Sequence, residues 1–312
     1  MVELEIKINQ NRKETPIARE QKIKLIRALG EKNGEGCLQT LLRLLKHDPG
    51  VERGNSYFEE LLLALKNRAL RNPDDNRTVN VLVEHLRVRD GCWQTAARVA
   101  ETLGEIGDWR SVEPLSKHAG SEYYILANSA IRALGKIAEK AHALGDWSAK
   151  QAWSKKQTFS ELRKHAVPAL SAELLGGSRH ENQDAAAVSL VEIGPPALDG
   201  FAEATHAAVK KWLDEKSKNE KLLPPHEFSL ALWVFEKIAE LHPKYISGYF
   251  WQDIPGSIGD NCVELPIYKE TATNSAYRDS VKLLKLILKE NKPALLNPAS
   301  WTNLKRPLPR LG

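Results

Sequence analysis

Residues 95 to 117 read TAARVAETLGEIGDWRSVEPLSK. Val99, Ala100, Leu103 and Ile106 stand at the three- and four-residue steps that place side chains on one face of a helix. Gly107-Asp108 then offers a tight turn, and the Asp108 carboxylate is placed to accept the free amides of a second helix. Neither helix can bury its apolar side alone, so the stretch is one unit of a stacked array.

With Leu103 as position zero, the same pattern recurs at Leu29, Leu65, Leu134, Leu190 and Phe235. Four residues earlier stand Leu25, Leu61, Val99, Ala130, Ala186 and Ala231, and three earlier Ile26, Leu62, Ala100, Ile131, Ala187 and Leu232. All are apolar. The residue before zero is small in Ala28, Ala64, Thr102, Ala133 and Ser189, with Val234 the exception. The zero positions lie 36, 38, 31, 56 and 45 residues apart, a loose period in the range of two-helix repeats, and the long step predicts an insertion in the fourth copy.

Ala133-Leu134-Gly135-Lys136-Ile137, Leu103-Gly104-Glu105-Ile106-Gly107-Asp108 and Ser111-Val112-Glu113-Pro114-Leu115 resemble HEAT repeats, particularly the short bacterial kind also found in phycobilin lyases. The resemblance covers roughly residues 17 to 245. It is weaker in the second, fifth and sixth copies, where Lys66, Val191 and Glu236 replace the glycine after the leucine. It implies an all-α fold, an α-solenoid of about six HEAT-like helix pairs, and brings no catalytic residue, because the motif is structural.

The remaining boundaries follow from composition. Residues 1–16 alternate Val2, Leu4, Ile6 and Ile8 with polar residues and form an N-terminal arm, a short strand or a loose docking segment. The repeats occupy 17–245, with an insertion around 145–158 that repeats the turn as Gly145-Asp146-Trp147 and continues in a polar run, Ser148 to Gln157, before a helix resumes at Phe159 or Ser160. Residues 246–312 hold an amphipathic helix over Ser275 to Asn291, a candidate cap for the outward apolar face of the last repeat, and a proline-rich tail.

A chain of 312 residues exceeds the usual single core, but a solenoid escapes that limit because each repeat touches only its neighbours. Cys37, Cys92 and Cys262 are odd in number and widely spaced, which predicts neither a disulfide framework nor a metal site and suits a reducing, cytoplasmic setting. No leader segment and no membrane-spanning run is expected. The net charge of +5 is mild for this length.

Two sets of residues are candidates for partner binding. Lys46, Lys117 and Lys164, each followed by histidine, with Arg87 and Arg89 in a comparable place, would form a basic ridge, because in the fold that the repeats resemble the second helices line the concave surface. Cations at helix C-termini also complement the helix dipole without any partner. Trp147 and Trp153 fall in the insertion, off the repeat stripe, where tryptophan can anchor a protein partner or pack between helices.

HEAT-like folds include DNA glycosylases that use tryptophans and an acidic residue in a basic cleft, roles in which Asp108-Trp109 and Asp146-Trp147 could be cast; helix capping accounts for both aspartates. No HExxH, GxSxG, phosphate-binding or dinucleotide glycine pattern is present, so no cofactor is expected. The expectation is a non-catalytic scaffold that binds another protein. The alternatives are a nucleic-acid binder using the basic ridge, or a bilin lyase-like or chaperone-like helper implied by the resemblance alone.

Overall fold

The computed structural model describes residues 16–32, 34–47, 56–86, 93–144, 149–219, 224–242, 280–282 and 284–285, and among these residues the regular structure is entirely helical. Residues 1–15 of the expected N-terminal arm and the proline-rich tail lie outside the described residues, while Pro16 already belongs to the first helix. The chain divides into two compact units, Met1–Ile137 and Ala138–Gly312.

The first unit begins with α1 (Pro16–Glu31), α2 (Glu35–His47), α3 (Ser56–Arg71) and α4 (Arg77–His85). Then come α5 (Trp93–Ile106), a 3-10 turn (Trp109–Ser111), α6 (Val112–His118) and α7 (Tyr124–Ala143), within which the division falls. Each of the first helices packs on its sequence neighbour and on the helix two places along: α1 on α2 and α3, α2 on α3 and α4, α3 on α4 and α5. Of the eighteen stripe positions all are buried except Leu25 and Leu232, which are half-buried, so the register read from Leu103 is the register of the core. Burying the larger of these side chains, leucine, isoleucine, valine and phenylalanine, contributes about 1.5–3 kcal/mol each before the entropy of ordering is charged against it.

The glycine after the leucine has a steric cause. A Cβ on Gly104 would stand 2.7 Å from Ala133 Cα, and one on Gly30 would stand 2.7 Å from Ala64 Cβ. The glycine of one copy thus receives the small residue before the leucine of the next. Ala28, in the first copy, is exposed. Where Lys66 replaces the glycine, its ammonium crosses instead to Glu105 at 2.8 Å.

Turns are set by side chains as well as by glycine. Gly107 has φ +79 and its amide closes on the Leu103 carbonyl at 3.0 Å, a left-handed backbone that a Cβ would strain. The C-terminus of α1 is held by two arginines of α3. Arg68, almost wholly buried, donates to the Lys32 carbonyl at 2.7 Å and the Gly34 carbonyl at 3.1 Å; Arg71 donates to the carbonyls of Gly30 and Glu31. A buried guanidinium is tolerable here because orphan helix carbonyls receive it.

The second unit contains α8 (Ala149–Glu161), a π turn (Leu162–Ala166), α9 (Val167–Gly176), α10 (His180–Ile193), a 3-10 turn (Pro195–Ala197), α11 (Leu198–Lys216) and α12 (His226–Leu241). The polar run expected to be irregular is helical from Ala149, and the helix passes through the π turn into α9. Pro168 explains that turn: it lacks an N–H and its ring would meet the Lys164 carbonyl, so the ladder widens and the Val167 amide bonds to the Leu162 carbonyl. The core closes with Phe201 against Phe235, ring centroids 4.8 Å apart, and Trp212 edge-on to Phe228 at 5.8 Å.

Within the amphipathic helix expected at 275–291, residues 280–282 and 284–285 are described and helical. Ser280 and Leu284 are fully buried; the Ser280 hydroxyl donates to the Ala202 carbonyl of α11 at 3.3 Å, and Lys285 pairs with Glu236 of α12 at 3.3 Å.

Candidate functional site

The sequence-predicted residues fare differently. Arg87, Arg89, Trp147 and the Lys46 side chain lie outside the described residues. Lys117, on α6, is exposed and pairs with Glu113 one turn earlier at 2.8 Å, so part of its charge is already answered. Lys164 projects from the π turn and is exposed. Trp153, on α8, is 58% exposed, more than any other large hydrophobic side chain among the described residues.

Trp153 and Lys164 share one face. Positions 153, 156, 160 and 164 are separated by three or four residues, and Trp153, Lys156, Ser160 and Lys164 are all exposed. The opposite side of the helix holds it in place: Thr158, Leu162 and Ala166 are buried, and the Thr158 hydroxyl donates to the Ser154 carbonyl at 2.8 Å. Neighbouring charges are directed elsewhere. Lys155 donates to the Leu144 carbonyl at 3.3 Å, Arg163 to Asp199 at 3.2 Å, and Glu161 lies 3.4 Å from His165. No carboxylate pairs with Lys156 or Lys164 among the described residues.

On the exposed side of the first unit, several cations are matched by carboxylates of neighbouring helices. Arg27 donates to Glu60 at 2.9 Å, joining α1 to α3; Arg98 lies 3.6 Å from Glu59 and Lys66 2.8 Å from Glu105, joining α3 to α5. Glu105 also faces Lys136 at 3.6 Å, joining α5 to α7. Lys66 first and Lys136 second hold the Glu105 carboxyl below its ordinary range.

Asp108, cast as a possible catalytic acid, is engaged in its turn. One oxygen accepts the Arg110 amide and the Arg110 Nε, both at 2.9 Å, and the other accepts Nη2 at 2.5 Å. Asp75 and Arg77 repeat the arrangement, with the amide at 3.1 Å, Nε at 2.8 Å and Nη2 at 2.7 Å. This Asp-x-Arg clasp follows a pattern shared by Asp75-Asn76-Arg77 and Asp108-Trp109-Arg110, of which only the cap is expected from the sequence. Arg77 also reaches Glu35 at the start of α2, tying successive turns together.

The second unit contains two half-buried histidines that sequence reasoning passed over. His142 and His242 stack with ring centroids 5.8 Å apart, and a Cβ on Gly194 would stand 3.0 Å from His242 Nε2 and 3.6 Å from His142 Nε2. Burial pushes both imidazoles below their ordinary value. They keep a tight, neutral junction around the left-handed Gly194, φ +73, and His142 Nε2 lies 3.2 Å from the Ile193 carbonyl.

Neither a family model nor a curated protein matches the chain. Among the described residues, no group of three or more His, Cys, Asp and Glu side chains is arranged to hold a metal ion, and no helix is long and apolar enough to cross a membrane.

Proposed function

We propose that this chain is a non-catalytic interaction scaffold, a HEAT-like α-solenoid that binds another protein through its second-helix surface and its fourth-copy insertion. The observation that carries the reading is the face of α8, where an indole 58% exposed stands in line with two cations that have no carboxylate partner among the described residues. Tryptophan is enriched, with tyrosine and arginine, at the energetic centres of protein interfaces. Packing of each of the first three helices on its neighbour and next neighbour supports the solenoid, since stacked repeats bury their stripes in that way. On the α1, α3, α5 and α7 side, Arg27, Lys66, Arg98 and Lys136 are already paired with carboxylates.

The test is affinity capture from native lysate with the immobilised full chain and its Trp153→Ala variant, with nuclease and at two salt concentrations. A defined protein retained by the wild type under all conditions and lost by the variant is the expected result. Retention indifferent to Trp153, or a nucleic acid that disappears at high salt, would overturn it.

A further inference from the structure

The segment 149–166 contains Lys150, Lys155, Lys156, Arg163 and Lys164 against one acidic residue, Glu161. The folded helix sorts these charges. Arg163 is occupied by Asp199, Lys155 by the end of α7, and Glu161 faces His165. Trp153, Lys156 and Lys164 stand on the exposed face.

From these positions the dimensions of a ligand follow. At about 1.5 Å per residue, Lys156 and Lys164 are roughly 12 Å apart along the helix, and Trp153 lies roughly 4–5 Å beyond Lys156. An extended peptide advances about 3.3 Å per residue, so two carboxylates four residues apart span the two ammonium groups, and an apolar side chain one or two positions ahead reaches the indole. Opposite charge on the ligand answers cations that the protein leaves unmatched.

We infer that this face takes an acidic, extended segment of the partner protein, with an apolar side chain on Trp153 and carboxylates on Lys156 and Lys164. The inference rests on the scaffold reading and names the chemistry of its partner. A single nucleic-acid strand fits less well: such binders align several aromatic platforms along a track of cations, whereas this face has one indole and two ammonium groups.

The experiment is fluorescence anisotropy with the full chain and two probes. One is a fluorescein-labelled ten-residue peptide with one leucine followed by two glutamates four positions apart in an alanine and serine background; the other is labelled oligothymidine of ten nucleotides. The proteins are the wild type, Trp153→Ala, Lys156→Glu with Lys164→Glu, and a charge-matched control, Lys24→Glu with Lys237→Glu, whose lysines already pair within their own helices. All substituted positions lie on helix surfaces, and circular dichroism melts verify that each variant folds.

Expected results are peptide binding by wild type and control, weakened about tenfold or more by the Lys156 and Lys164 reversals. Trp153→Ala should weaken it roughly fivefold. Peptide binding that is absent, or equal in all four proteins, would overturn the inference. So would oligothymidine binding more tightly with the same dependence on the variants. If the peptide fails while lysate capture still depends on Trp153, the acidic-segment inference falls and the scaffold reading stands.

Discussion

Gly104 and Ala133 approach so closely that a Cβ on the glycine would lie 2.7 Å from Ala133 Cα and 2.8 Å from its Cβ. Backbone atoms cannot step aside as a flexible side chain can, so α5 and α7 meet at a distance that only glycine permits. The same relation joins Gly30 to Ala64, 2.7 Å from Cβ and 3.1 Å from Cα.

Gly104→Ala is therefore expected to destabilise the protein by about 1–3 kcal/mol despite alanine's better helix propensity. Gly176→Ala, where nothing lies within 4 Å of the added methyl, should be neutral or slightly stabilising. Urea denaturation of both variants checks the pair. Equal midpoints would mean that α5 and α7 do not approach in this way.

The Asp-x-Arg clasp predicts a ranking at one residue. Asp108→Ala removes the cap on the Arg110 amide together with both guanidinium contacts and should cost about 1–2 kcal/mol. Asp108→Asn keeps a capping oxygen and should cost less. Thermal melts of the two variants decide the matter, and an Asn variant as unstable as the Ala variant would show that charge outweighs the cap.

Burial lowers His142 and His242 from the ordinary value of 6.5, so the unfolded chain binds protons that the folded one refuses. Their contribution to stability is complete above pH 6.5 and is lost as pH falls toward the depressed folded values. His118, lowered by burial in the first unit, acts in the same direction. Glu173 and Asp184 are raised by burial and act oppositely, being best accommodated when protonated and losing that benefit as pH rises. The wild type should lose stability between pH 7.5 and 5.5, and His242→Gln should lose less over the same interval. Parallel pH dependences in denaturant titrations of the two proteins would contradict the assignment.

Leu284 is fully buried, between Ser280, which donates to the Ala202 carbonyl, and Lys285, which pairs with Glu236. Leu284→Ala should cost about 2–4 kcal/mol by the loss of buried methyl groups and the cavity left behind. Lys285→Ala, which removes only an exposed pair, should change stability by no more than about 0.5 kcal/mol. Urea midpoints of the two variants provide the comparison.

Sequence alone determined the helical class, the stripe and the turn at Gly107-Asp108, because each is local: a period of three and four residues, a left-handed glycine and a carboxylate next to free amides act within one or two turns of chain. It missed the helix at Ala149 because alanine, lysine, glutamine and serine form helices readily while showing little apolar period, and the narrow face they bury is marked mainly by Thr158 and Leu162. Tertiary structure decided everything that depends on a second helix. Only packing shows that Gly104 is a glycine for the sake of Ala133, that Lys66 answers Glu105, and that His142 and His242 pack against Gly194. Packing also separates Lys117, which has a carboxylate beside it, from Lys156 and Lys164, which have none among the described residues, and leaves Trp153 in solvent while Trp212 is buried. The physical reason is that charge matching and exposure belong to pairs of surfaces, and no single strip of sequence contains both members.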